Sequence, residues 1–278
     1  MIWPFEPFEL AFMQRAALEI LLLAPLAGLI GAQIVLRRLA FFTHAVGTAT
    51  FPGLVVAGPA GIPPALAALA AGGVFATALA RLGRVRGLGR EAATALLLVA
   101  ALGIGIVLAS DVFGSGSGVD RLLFGSLLAI GDEELLATAI AVAVSLVSVA
   151  VWRRTWIASG FDPGAQAGLG LRVRIADWAL VAVIAIGVIA AVDAVGALLV
   201  SAILVIPAAT VRLFARSVPS LELGAGTLAL AEGFAGLLLA FELDVPPGAA
   251  IAVLGGLGFA LCATVVALGG RPAGEARA

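Results

Sequence analysis

The chain contains no lysine; all 16 of its basic residues are arginine. That absence excludes a Walker-type phosphate loop, whose lysine must reach the β- and γ-phosphates, and it excludes lysine Schiff-base chemistry. The run Gly114–Gly118 (GSGSG) has the glycines of a phosphate cradle but neither the lysine nor a preceding strand, so it reads as an external loop. There is one cysteine, Cys262, in an apolar run. It can form no intramolecular disulfide and reads as a small core residue. There is one histidine, His44, so the two-histidine zinc motif of a membrane metalloprotease is ruled out. No pair of aspartates lies centrally in an apolar segment, which removes an aspartyl membrane protease. Charge is also scarce, at 12% of residues. Soluble domains carry about 25%, and a chain this poor in charge cannot cover a globular surface with polar groups.

What the chain has instead is apolar length. It is 62% hydrophobic, with a mean hydropathy of +1.18. Its solvent is lipid, where only helices and closed barrels satisfy every backbone group. The long runs Leu18–Leu36 and Ala179–Val192 show no period-two alternation, so the fold class is an all-α, polytopic transmembrane helical bundle. A span needs about 20 apolar residues. By that length the candidates are 16–36, 43–58, 62–81, 92–110, 133–152, 177–193, 196–214, 221–241 and 248–268. That makes nine spans, with eight as the alternative. The second is short and contains Pro52 and Gly53, which suggests a kinked or broken helix. Met1–Ala11 carries Glu6 and Glu9 where a signal peptide would be basic, so the first span reads as retained.

The arginines test this division. They follow spans one, three, five, seven and nine, with only Arg15 and Arg121 in the alternate set of loops. The opposite loops hold Glu6, Glu9, Asp111, Asp120, Asp132, Glu133, Glu134, Asp193, Glu242 and Asp244. By the positive-inside rule the N-terminus lies outside and the C-terminus in the cytoplasm. The longest polar interruptions are 111–132 and 153–176. Neither can build a core of its own, so residues 1–278 read as one transmembrane domain. The apolar piece Leu122–Leu128 within the outer interruption reads as interfacial. The inner loop, 153–176, contains Asp162–Pro163, a helix start with an N-cap acceptor and proline at the first helical position. A short helix from Pro163 to Gly168 at the inner face suits a contact with a force-generating partner; an ordinary capped connector is the alternative.

Five segments are similar to the permease subunits of bacterial ABC importers for zinc, manganese and iron. They are Arg37–Gly53 (RRLAFFTHAVGTATFPG), Phe124–Leu128 (FGSLL), Phe161–Gly168 (FDPGAQAG), Gly196–Arg216 (GALLVSAILVIPAATVRLFAR) and Gly236–Gly248 (GLLLAFELDVPPG). They recur in the family's order from about residue 20 to residue 268. The resemblance implies a membrane-spanning permease with no catalysis of its own, in the bacterial plasma (inner) membrane. It implies a homodimer, or a dimer with a related permease, two ABC ATPase subunits on the cytoplasmic side, and an extracytoplasmic solute-binding protein. Nothing points to a nucleic-acid partner. No tightly bound cofactor is implied; a divalent metal ion would pass transiently as substrate. Phe161, Asp162, Pro163, Gly164 and Gly168 would then form the coupling element for the ATPase.

The chain departs from the family where metal recognition is expected. The family has Gly-Asp where this chain has Thr43–His44, and Ser-His where it has Gly47–Thr48. The family's aspartate and histidine positions therefore become His44 and Thr48, four residues apart on one helical face. A histidine that some members carry in the fourth span aligns with Val99. The candidate pathway residues are Thr43, His44, Thr48, Ser201 and Glu232, with His44 as the candidate metal ligand. An ionisable residue within a span is a functional candidate; for His44 and Glu232 a purely structural role is the competing reading, with Thr227 as a hydroxyl partner for Glu232. Pro207 kinks span seven, and Ser201 and Thr210 can satisfy nearby backbone groups. Glu19 reads as interfacial. The departures leave open a permease for a metal complex or a non-metal solute, and a secondary transporter is the more distant alternative.

Overall fold

The computed structural model describes residues 6–83, 85, 89–112, 123–161 and 173–268, and among these every regular element is helical. Nine α-helices follow in order: α1 (Ala11–Leu36), α2 (Ala40–Ala60), α3 (Pro64–Leu82), α4 (Arg90–Val107), α5 (Asp132–Phe161), α6 (Val173–Val195), α7 (Val200–Arg212), α8 (Val218–Leu243) and α9 (Pro247–Leu268). Eight stretches are long and apolar enough to cross a membrane, and α7 is the exception at 13 residues. At 1.5 Å per residue it extends about 20 Å, short of a hydrocarbon core about 30 Å thick. Of the two counts that the sequence allowed, nine spans or eight, the described residues give eight helices of spanning length and a ninth, short one.

The helix ends follow from local chemistry. Gly61 ends α2 in the left-handed region, and Pro64 opens α3. Ser217 and Ser220 form a reciprocal cap at the start of α8, with Ser220 N donating to Ser217 Oγ. Pro52 and Pro59 sit inside α2 without interrupting it, so α2 is one continuous helix rather than a broken one. Hydroxyls along the spans bond back to the preceding turn, as Thr43 does to Leu39 O and Thr210 to Ile206 O.

Side-chain bridges fix the relative direction of the helices. Arg15 pairs with Asp132 at one end of α1 and α5, and Arg37 reaches Trp156 O at the other, so these two helices run parallel. Helix α8 runs antiparallel to α1: Gly233 meets Ile20, while Gly28 meets Glu222. Helix α1 is the centre of the bundle, with 67% of its span window buried, against 11% for α9. Lipid tails are as apolar as leucine, so the hydrophobic effect does not drive these helices together; van der Waals contact through small residues does. Gly28 and Gly31 let α1 approach the backbones of α8 and α7. The bundle is closed at one end by two irregular segments laid against each other. Leu198 N donates to Leu123 O, and Gly125 (φ +77°) and Gly196 (φ +93°) hold left-handed conformations where a Cβ would strike the facing backbone.

Within the described part of the 122–128 piece, Leu127 is buried against the bundle and Phe124 is 39% exposed. Cys262 is only half-buried on α9, not a core residue. Residues 153–161, expected in a polar loop, are the last turns of α5.

Candidate functional site

The sequence pattern places His44 and Ser201 on different helices 157 positions apart, and the fold brings them together. His44 Nδ1 lies 3.1 Å from Ser201 Oγ. His44 is the fifth residue of α2, and Ser201 is the second of α7. The approach is possible because Gly47, one turn further along α2, presents no side chain to Val200 and the Ala197 carbonyl. His44 is half-buried, and among the described residues its Nε2 has no hydrogen-bond partner. A histidine that ligates a metal through Nε2 donates its Nδ1–H to an oxygen; Ser201 Oγ is such an oxygen within reach, and which of the two groups donates depends on the tautomer.

Thr48 shares the His44 face of α2. It is fully buried, and its hydroxyl has no hydrogen-bond partner among the described residues. Pro52, four residues on, has no N–H, so the Thr48 carbonyl also lacks its usual helical donor. Thr43 is fully buried with its hydroxyl on Leu39 O, a helix-internal bond. Glu232 lies elsewhere. Its carboxylate rests against Gly255 and Gly258 of α9, near Ile206. Helix α2 packs on α3, α4, α6 and α7, whereas α8 packs on α1, α7 and α9. Thr227, suggested as a partner for Glu232, instead donates to Gly224 O. Val99 is 67% exposed on the outward side of α4, so that position adds nothing to the His44 site. Among the described residues no three His, Cys, Asp or Glu side chains gather into a metal-holding cluster. The cavity between α1, α7, α8 and α9 is small and apolar, lined by Ile20, Leu23, Ile203 and Ile251, so it lacks the two to four polar partners that a bound water needs.

Three polar links were not legible in the sequence. Arg37 donates to Asp177 Oδ1 at 2.8 Å, to Trp156 O at 3.0 Å and to Ser159 Oγ, joining the end of α1 to α5 and α6. Arg153 donates to Glu222 Oε2 at 2.7 Å, joining α5 to α8. Thr138 donates to Glu19 Oε1 at 2.7 Å, and Glu19 is fully buried rather than interfacial. Arg15, an exception to the arginine pattern, is paired with Asp132 at 3.0 Å, which accounts for its place among acidic residues. Of the candidate coupling residues, Phe161 is the last residue of α5; Asp162, Pro163, Gly164 and Gly168 lie outside the described residues.

A family profile described as the ABC 3 transport family matches residues 9–266. A membrane protein of Cyanophora paradoxa, of uncharacterized role, is 30% identical over 91% of this chain and 85% of its own. The manganese transport system membrane protein MntC of Halalkalibacterium halodurans is 28% identical, over 90% of this chain and 86% of its own length. Among solved structures, PsaBC from Streptococcus pneumoniae in complex with Fab superposes with a TM-score of 0.84 at 23% identity, covering 92% of each chain. At that identity the superposition establishes the fold.

Proposed function

The chain belongs to the ABC 3 transport family, and from that premise we propose that it is the permease through which an ATP-driven importer passes a divalent metal ion: manganese, zinc or iron. It is a multi-pass membrane protein and not an enzyme; family membership assigns hydrolysis to other subunits. The metal reading draws support from the manganese transport protein among its relatives. The observation that carries it is His44, the only histidine, with Nδ1 3.1 Å from Ser201 Oγ and, among the described residues, no partner on Nε2.

A permease gains nothing from tight binding, because a strong site slows release. One imidazole is a transient ligand, and selectivity then rests on the solute-binding protein. A dimer of this chain or with a related permease, two ATPase subunits and the binding protein complete the system. Arginine placement supports a cytoplasmic location for the Arg37 end of the bundle. Helix α5 reaches towards the ATPase from that end. Its 30 residues extend about 45 Å, roughly 15 Å more than the hydrocarbon core. The coupling element is Phe161 with Asp162, Pro163, Gly164 and Gly168.

The test is uptake of radiolabelled manganese, zinc and iron by cells making the full chain with its ATPase and binding protein. His44→Ala should lower uptake by about tenfold or more, since even an outer-shell partner of a metal ligand is worth about 10–100-fold, with membrane insertion and ATPase assembly intact. His44→Asp should retain it. Unchanged uptake in both variants would make His44 a packing residue. If no divalent metal is carried by the wild type, the metal reading falls and the permease assignment stands alone.

A further inference from the structure

Arg37 directly follows α1, and only Arg38 and Leu39 separate it from α2. Its side chain is 14% exposed. A guanidinium held out of water is costly unless acceptors meet its donors. Here the acceptors come from two other helices: Trp156 O and Ser159 Oγ near the end of α5, and Asp177 Oδ1 near the start of α6. Trp156 in turn donates from Nε1 to Ala176 O. The two stems of the 162–172 connection therefore stand side by side, tied to each other and to the turn that opens α2. Arg153, about one turn before Trp156, adds a tie from α5 to Glu222 on α8. The end of α5 is thus held by α1, α6 and α8. The Arg15–Asp132 pair at the opposite ends of α1 and α5 is exposed, and a pair of that kind contributes little.

We infer that Arg37 is the positioning residue of the ATPase contact: it clamps both stems of the connection between α5 and α6 against the foot of α2, so that the ATPase subunit meets a surface already in place. This rests on the reading of Phe161 and the residues that follow it as the coupling element. A surface ordered in advance spares binding the cost of ordering it. A surface formed only about a tenth of the time would bind its partner about tenfold more weakly. Arg37→Met keeps the apolar stem of the side chain and removes every donor. It strands no buried charge, because Asp177 is 46% exposed and water can take over its carboxylate.

The experiment is a titration of the full chain, in lipid nanodiscs, with its fluorescently labelled ATPase subunit. Arg37→Met should weaken binding by about tenfold, and Arg37→Lys should fall between it and the wild type, because an ammonium cannot reproduce the guanidinium fork. Gly236→Ala is the control for general loosening. Its Cβ would lie 2.8 Å from Ile251 Cα on α9, in the half of α8 away from the clamp, so it should lower the thermal midpoint and leave ATPase binding as in the wild type. Wild-type binding by Arg37→Met overturns the inference, as does an equal loss in Gly236→Ala. Should Arg37→Met fail to reach the membrane, Asp177→Ala frees the α6 stem alone: a loss beyond that of Gly236→Ala supports the clamp, and wild-type binding overturns it. A chain with 162–168 replaced by a glycine–serine linker separates the two levels. Normal ATPase binding by that chain removes the reading of the connection, and the inference with it, whereas loss there with none in Arg37→Met removes only the role of Arg37.

Discussion

Replacing Gly28 by alanine adds one methyl group to the face of α1 that meets α8. The new Cβ would lie 2.6 Å from the Glu222 carbonyl oxygen and 3.2 Å from Gly226 Cα. A carbon–oxygen contact settles at about 3.3 Å or more, so the helices must separate by roughly 0.7 Å. The obstacle is backbone inside a hydrogen-bonded helix and cannot rotate aside. A gap of about that size forfeits a quarter to a half of each dispersion contact along the seam. The expected cost is about 1–3 kcal/mol, the usual range for overpacking, offset by up to about 1 kcal/mol from the better helix propensity of alanine. Gly103→Ala supplies the control, because a Cβ there meets nothing within 4 Å, leaving only the propensity gain. Reversible unfolding in mixed detergent micelles should place Gly28→Ala about 1–3 kcal/mol below Gly103→Ala. Displacement at Glu222 should also loosen its pair with Arg153, adding to the deficit. Equal stability of the two variants would refute the close-packed seam between α1 and α8.

Arg37→Met removes the donors to Asp177, Trp156 O and Ser159 at once. It should lower the thermal midpoint in detergent by several degrees, with Arg37→Lys intermediate because an ammonium cannot reproduce the guanidinium fork; a midpoint unchanged in Arg37→Met would show that the cluster contributes nothing. In a Cys262→Ser background, a cysteine at Ser115 should react with an impermeant reagent from outside and one at Ala165 should not, and equal reaction would overturn the proposed orientation. Asp162→Ala with Pro163→Ala should leave the chain in the membrane but separate ATP hydrolysis from uptake. Normal uptake by that double variant moves the coupling role to another segment, with 215–221 next.

Much of the fold was legible because lipid imposes so few solutions. The span expected at 16–36 is α1, Ala11–Leu36, and the one at 248–268 is α9, Pro247–Leu268. The errors share a cause: apolar length measures contact with lipid, and helices do not end where lipid does. The fifth span was closed at residue 152 because Arg153 and Arg154 follow, yet α5 continues to Phe161. It can do so because Arg153 finds Glu222 on α8 and Trp156 buries against the bundle, its Nε1 donating to Ala176 O at 2.7 Å. The seventh span was given full length because Gly196–Leu199 is apolar, but those residues form the turn zipped to Leu123. Pro52 suggested a kinked or broken helix, and α2 runs unbroken from Ala40 to Ala60 with Pro52 inside it.

The sequence by itself determined the solvent, the helical class, the order of the apolar segments and, through five motifs in order, the family. Those properties depend on composition and on local backbone chemistry, which the chain carries at every position. Only the tertiary structure decided which polar groups meet. His44 and Ser201 are separated by 157 residues, Arg37 and Asp177 by 140, and Glu19 and Thr138 by 119. Helical period assigns each of them a face, but it names no partner. The partner is chosen by how closely two helices can approach, and that is set by glycines such as Gly28, Gly31 and Gly47, whose contribution is the side chain they lack.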